Sequence, residues 1–368
     1  MVCGSYGVGN TGLDGPFKRG KRCGIVDGIE VIELELPYEN RDSFMRRGLT
    51  FLRFAMRSTW LALSLPCDVV FATSTPLTAA IPGIAARGLR RRPFIFEVRD
   101  LWPELPKAMG VITNPVVLSL MSWLEWSAYH SATSLIGLSP GIVDGIRRRA
   151  QSGKRVALVP NGSDLDMFAG RNNDSPAARA GSNLACIFMG AHGIANGLEA
   201  VLDAAGVLKA RRRDDIEFLL IGDGGRKPAL KERAASEKLD NVHFLDPVPK
   251  NQLRRVLQAA DVGLMILADV PAFYYGTSPN KFFDYIAAGL PVVNNYPGWL
   301  ADMIRVEGAG IAVAPDDPNA FADALEFLAD HPDDRLRMGQ RARQLAERDF
   351  DRDSLARDFV AEFETLGN

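Results

Sequence analysis

The chain has 368 residues, 47% of them hydrophobic and 24% charged, with a formal net charge of −2 and a mean hydropathy of −0.03. At about 100 to 200 residues per domain this length predicts two globular domains, each large enough to bury a core. The near-neutral charge argues against general nucleic-acid binding. The four cysteines (Cys3, Cys23, Cys67 and Cys186) are scattered, so neither a disulfide framework nor a zinc site is favoured.

Strand-like runs alternate with helix-like runs, the pattern of a parallel sheet covered on both faces. In the first half the strand-like runs are 29–34, 68–72, 93–98, 134–138 and 155–159, with helices expected over 44–65, 76–90, 114–131 and 140–149. The run Met1 to Gly4 reads as a strand end with no βα unit before it, so the first unit of this domain is expected to be missing. Gly7-Val8-Gly9-Asn10-Thr11-Gly12 fits the dinucleotide-binding spacing, but Leu13 to Pro16 stops the helix that such a turn needs, so a plain glycine-rich loop is favoured.

The helix expected at 44–65 interleaves Phe44, Leu49, Leu52 and Trp60 with Arg46, Arg47, Arg53 and Arg57, and between 41 and 95 nine arginines face only Asp42 and Asp68. Such a helix suits an anionic lipid surface, and equally a core-facing helix with a basic outer side. No stretch reaches the roughly 18 uncharged apolar residues that span a membrane, and no signal peptide opens the chain, so a cytoplasmic location is expected.

Directly after the apolar run Phe94 to Val98 stand Arg99 and Asp100, where ligands of open α/β sheets bind. A polar stretch from Arg171 to Pro176 marks a linker near 168–182. The second half then alternates again: strands begin near 184, 216, 242, 261, 290 and 310, with helices over 197–211, 226–238, 250–259, 279–288 and 318–330. Ile221 to Gly225 closes one strand in a glycine turn. Asp164-Leu165-Asp166 reads as a turn and not as a metal site, since no further carboxylates group with it. Of the four dispersed histidines only His192 sits in a glycine-rich turn at a strand end.

The segment Ser278-Pro279-Asn280-Lys281 to Asp284 is the most informative. Ser278 is expected to cap a helix with Pro279 at its first position, leaving free N–H groups beside the Lys281 cation, an arrangement suited to phosphate. Asp284 lies on the same helical face and suits ribose hydroxyls. A well-capped helix with an exposed Lys and Asp pair fits the same spacing.

Taken in order, Phe96 to Glu104, Val159 to Gly162 with Asp164, Gly190 to Glu199, Ile221 to Gly224, His243 to Leu245, Ser278 to Asp284 and Gly289 to Pro291 resemble glycosyltransferase family 4, the retaining enzymes of the GT-B fold. Within it they are similar to the WbuB-like bacterial cell-wall and O-antigen sugar transferases. The resemblance implies an α/β chain of two facing Rossmann-like, doubly wound domains with a cleft between them. An acceptor domain would span 1–168 plus a returning helix at 351–368, and a nucleotide-sugar domain 169–350. It implies donor contacts from Gly190, His192, Asn196, Gly197, Gly222, Ser278, Asn280, Lys281 and Asp284, catalytic roles for Arg99 and Asp100, and no metal or other cofactor. The partners expected are a UDP-linked sugar of N-acetylhexosamine type, a lipid-linked or other glycan acceptor and, from the basic helix at 44–65, the anionic inner face of the membrane.

Two departures stand out. Many family members carry Arg and Lys where this chain has Ala191 and Asn196, and a glutamate where it has Gly276, which leaves Lys281 and Arg99 to supply positive charge. A catalytically silent nucleotide-sugar-binding scaffold and a GT-B-type epimerase are the competing readings, and a Rossmann dehydrogenase is the weakest.

Overall fold

The computed structural model describes residues 1–6, 11–38, 42–168, 183–249, 252–274 and 276–366. The glycine-rich turn at Gly7 to Asn10, the linker at 169–182, the first two residues of the helix expected at 250–259, and Tyr275 lie outside them. The chain forms two compact units: Met1–Gly137 with Ile142–Ala157 and Glu362–Asn368, and Leu138–Gly141 with Leu158–Ala361.

The first unit runs β1 (Val2–Tyr6), β2 (Lys21–Val26), β3 (Ile29–Tyr38), α1 (Phe44–Ser64), β4 (Val70–Thr73), α2 (Ala80–Arg90), β5 (Phe94–Val98), α3 (Glu104–Ala108), α4 (Pro115–Ser131), β6 (Ser134–Gly137), α5 (Pro140–Arg149) and β7 (Arg155–Leu158). Its strands form two sheets, ordered β1-β3-β2 and β4-β5-β6-β7. The expected single wound unit is therefore corrected, because β2 and β3 form an antiparallel hairpin. Asp27 and Gly28 sit between them at φ 49° and 80°, the positive angles of the two-residue turn that matches strand twist. Register is reinforced by Arg22 and Glu33, cross-strand partners whose side chains pair at 2.7 Å.

Strands β4, β5 and β6 pair in parallel, and β5 is almost wholly buried, as a strand covered on both faces should be. Helix α4 starts where Asn114 accepts from the Val116 and Val117 amides, with Pro115 at its first position. Helix α2 lies directly against β5: a Cβ on Gly83 would stand 2.0 Å from the Phe94 ring.

The second unit runs β8 (Leu184–Met189), α6 (Glu199–Ala210), β9 (Ile216–Ile221), α7 (Lys227–Ser236), β10 (Val242–Leu245), α8 (Leu253–Gln258), β11 (Val262–Met265), α9 (Pro271–Tyr274), α10 (Asn280–Ala287), β12 (Val292–Asn294), α11 (Trp299–Glu307), β13 (Gly310–Ala312), α12 (Pro318–Asp330), α13 (Pro332–Asp349) and α14 (Arg352–Glu364). Its six strands pair in parallel in the order β10-β9-β8-β11-β12-β13. The order reverses at β8, which has β9 on one side and β11 on the other. The core joins Cys186, Phe188, Phe218 and Leu264 of the strands to Val201, Ala204, Ala205, Phe321 and Leu325 of the helices.

The division between the units falls after Ala157, where a boundary at 168 was expected. The segment that follows β7 is tied to the second unit: the Ser163 amide donates to the Phe350 carbonyl (3.0 Å) and the Arg352 amide to the Ser163 carbonyl (3.1 Å). The chain rejoins the first unit only from Glu362, whose carboxylate accepts from Ser134 Oγ (3.0 Å) and from Arg155 (2.8 and 2.9 Å). Among the described residues no helix is long and apolar enough to cross a membrane.

Because the Gly83 position has no room for a methyl group, Gly83→Ala is expected to destabilise the protein by about 1–3 kcal/mol through overpacking. Phe94→Leu in the same chain should recover part of that loss, as measured by denaturant unfolding of the single and double variants.

Candidate functional site

In an open parallel sheet the crevice for ligands lies beyond the carboxyl ends of the strands where the strand order reverses. Here that point is the turn after β8, residues 190–197, beside the turn after β9. The two turns touch through backbone. Gly222, at φ 150°, would put a Cβ 1.8 Å from the Gly190 carbonyl oxygen, so no other residue fits without moving one of the turns. The His192 amide donates to the Asp223 carbonyl (2.9 Å), and the Arg226 amide to the His192 carbonyl (2.9 Å). At the far end Gly197, φ 52°, packs against backbone: a Cβ would meet Ala268 at 2.6 Å.

The cation comes from α10. Lys281 Nζ lies 3.9 Å from the centre of the Phe188 ring and donates to Asn196 Oδ1 (2.9 Å), while Asn196 Nδ2 donates to the Ala191 carbonyl (2.7 Å). Asn196 thus braces the turn and holds the lysine, at the position where the resembling family often has a second cation. Gly190 is close by, and a Cβ there would stand 3.2 Å from Nζ. Burial lowers the Lys281 amine to about 7. Among the described residues no carboxylate pairs with it.

Ser278 does not cap α10. Pro279 occupies the cap position and no side chain accepts there. Instead Ser278 Oγ accepts from the Asn161 amide (3.3 Å), and Asn161 Nδ2 donates to the Ser278 carbonyl (2.5 Å). The proline that was expected at the first helical position leaves the first-turn amides without a side-chain acceptor, and Asn280 begins the helix. One turn on, Asp284 Oδ1 accepts from Ser163 Oγ (3.0 Å). Neither Asn161, which appeared only within a resembling segment, nor Ser163 was singled out from sequence as a site residue, and their bonds reach partners more than a hundred residues away. The pattern Pro160 to Ser163 carried no signal for that.

His192 is placed differently from the expected ligand contact. Its ring is fully buried, 6.2 Å from Phe188 and 6.1 Å from Phe244 between centroids, and neither ring nitrogen has a hydrogen-bond partner among the described residues. Burial, with the Lys227 charge, lowers it to about 4, so the ring is neutral near pH 7. Through its backbone it joins the two turns.

In the first unit, Arg99 and Asp100 follow β5 directly, as expected. The Arg99 amide donates to Ser74 Oγ (2.8 Å) and its guanidinium lies 3.6 Å from the Glu97 carboxylate. Asp100 accepts from Thr75 Oγ1 (3.0 Å), and burial raises its carboxyl above the usual range. Thr73 Oγ1 donates to Glu97. Thr75 sits at φ 115°, a conformation β-branched residues rarely adopt. These side chains gather at the carboxyl ends of β4 and β5, and sequence reading had singled out only two of them. Asp164 pairs with Arg352 (2.6 Å), and among the described residues no three His, Cys, Asp or Glu side chains group as a metal set.

The comparisons with known proteins agree on the architecture. The sucrose-phosphate synthase of Thermosynechococcus elongatus superposes with a TM-score of 0.76 at 17% identity, covering 95% of this chain and 86% of its own. Anabaena Alr3699/HepE in complex with UDP-glucose superposes at 0.68 and 16% identity, covering 85% and 82%. The chain has the GT-B fold. Residues 14–162 match the family described as Glycosyl transferase 4-like domain, and residues 184–331 match Glycosyl transferases group 1. The D-inositol 3-phosphate glycosyltransferase of Corynebacterium urealyticum is 31% identical over 212 residues, which is 53% of this chain and 47% of the relative. The chain spans about half the length of the curated relatives it matches.

A lysine whose amine is lowered by burial costs stability while it carries charge in the folded state. Below about pH 7 both states hold its proton; from there towards the ordinary lysine range the unfolded state alone holds it, so this group's contribution to stability rises with pH. Lys281→Met is therefore expected to gain most over the parent below pH 7 and to have lost more than half of that pH-dependent advantage by pH 9, as read from denaturant unfolding at pH 6 and pH 9.

Proposed function

We propose that the protein is a retaining glycosyltransferase that moves a sugar from a UDP-linked donor to a lipid-linked or other glycan acceptor. One observation carries this reading: at the strand-order reversal of the second unit, a cation without a carboxylate partner among the described residues stands beside the turn after β8, with Asp284 one helical turn away. A diphosphate would meet Lys281 and the amides of that turn and of the start of α10, and a ribose the Asp284 carboxylate. The UDP-glucose held by HepE, whose fold this chain shares, supports a UDP donor. The donor sugar is proposed to be of N-acetylhexosamine type and the acceptor a polyprenyl diphosphate-linked sugar, met at the inner face of the membrane by a cytoplasmic, peripherally bound enzyme.

The proposed step needs no metal. The bond from the anomeric carbon to the diphosphate oxygen breaks and the acceptor oxygen bonds to that carbon on the same face. The acceptor hydroxyl proton passes to the departing oxygen. The protein stabilises the charge growing on that oxygen with Lys281 and backbone amides. Arg99 and Asp100 are proposed to act on the transferred sugar or the acceptor hydroxyl.

Calorimetric titration of UDP tests the donor site. Lys281→Ala and Asp284→Ala are each expected to weaken binding about tenfold or more, the loss of a charged hydrogen-bond partner being worth about 1.5–3 kcal/mol; unchanged affinity in both removes the assignment. Affinity should also fall as pH rises above 7, as Lys281 gives up its proton, and Lys281→Arg should flatten that fall. A silent scaffold, the reading favoured by Ala191 and Asn196, predicts UDP binding with no donor turnover. Slow donor hydrolysis that disappears in Arg99→Ala rejects it.

A further inference from the structure

Three helices lying side by side on the first unit, α1 against α2 and α2 against α4, turn apolar side chains outward. On α1 these are Met45, Leu49, Leu52, Met56 and Trp60, spaced by three or four residues so that they form one stripe, with exposures from 47% to 82%. On α4, Val116, Leu120, Trp123 and Trp126 repeat the pattern, with exposures from 52% to 66%. Scattered exposed apolar residues are ordinary, but two such stripes holding three tryptophans are not.

The charges that these helices expose have one sign. Arg46 and Arg53 are exposed along one edge of the α1 stripe, while the half-buried Arg57 donates to the Gly20 carbonyl (2.6 Å); α2 ends in Arg87 and Arg90, followed by Arg91, around the exposed Leu89. Helices α1 and α2 contain no Asp or Glu; Asp42, just ahead of α1, pairs with Arg46 alone of these arginines (3.1 Å). The one carboxylate of α4, Glu125, is buried and accepts from Tyr129 (2.9 Å) and from Arg149. Between residues 42 and 95 eight arginines stand against Asp42 and Asp68, in a chain whose net charge is −2.

We propose that the face made by α1, α2 and α4 docks on an anionic lipid surface, with the tryptophans, leucines and methionines entering the headgroup boundary and the arginines meeting lipid phosphates. Aromatic and aliphatic side chains rimmed by arginine match that boundary in both polarity and charge. A second copy of the chain is a poorer occupant, since pairing this face with itself sets arginines against arginines with too few carboxylates to answer them. The proposal supplies a membrane partner to the lipid-linked acceptor reading and rests on that reading only for its purpose. Its test contains neither donor nor acceptor, so the two readings fail separately.

The full chain is sedimented with vesicles of phosphatidylcholine alone and of phosphatidylcholine with roughly one third phosphatidylglycerol. It is expected to partition onto the anionic vesicles, to release as salt is raised, and to bind the neutral ones far less. Arg53→Gln with Arg90→Gln should weaken partitioning by about fivefold per arginine. Trp60→Gln with Trp123→Gln should weaken it about tenfold or more, with thermal unfolding unchanged. If that pair fails to fold, Leu49→Gln with Leu120→Gln replaces it. Absence of partitioning, equal partitioning onto both vesicles, or partitioning indifferent to these substitutions overturns the proposal. So does a concentration-dependent dimer that the tryptophan substitutions dissolve, which would make a second copy the occupant.

Discussion

The position of β8 constrains everything else in the second unit. As the first strand of a parallel sheet with neighbours on both sides, it sends one succession of helices each way and leaves its own carboxyl end open. Phe188, next to last in the strand, presents its ring there; the turn that follows presents Asn196; and α10, arriving from beyond β11, brings Lys281 onto both. The turn after β9 closes in on the same point, and it can stand so near because Gly222 has no side chain. A crevice edged by amides and one cation is what this order of strands, with a glycine at that point, produces.

The alternation of strands and helices was legible because most elements are long and bury one patterned face. Strands β3 to β7 and helices α1, α4 and α5 lie within a few residues of where periodicity puts them. The hairpin of β2 and β3 was missed although Asp27-Gly28 announces it, since Lys21 to Val26 alternates without a strong apolar face and exposes every other residue. Helix α13 was missed for a related reason: it buries only Gly339, Ala342, Leu345 and Ala346, mostly small side chains that leave little hydrophobic signal.

At the site, residue types were legible and their partners were not. Ser278 before Pro279 has every mark of a helix cap, yet its hydroxyl is turned to Asn161, a contact that depends on how the segment following β7 packs. The same segment explains why the boundary between the units lies before 168. His192 was placed in the right turn, but the direction of its ring, inward between Phe188 and Phe244, follows from packing. Helix α4 teaches the converse. Its composition is that of a core helix, and only its surroundings reveal that one side of it has nothing to bury against.

The brace between Asn196 and Lys281 has a thermodynamic meaning. Folding has already stripped water from the ammonium and fixed its direction, so the cost of preparing a cation to meet an anion falls on the folding equilibrium and not on association. An incoming group recovers that cost only in proportion to the negative charge it delivers at a single point above Phe188. A pocket organised in this way ranks ligands by charge at one position, and a nucleoside stripped of its phosphates has nothing to return to it.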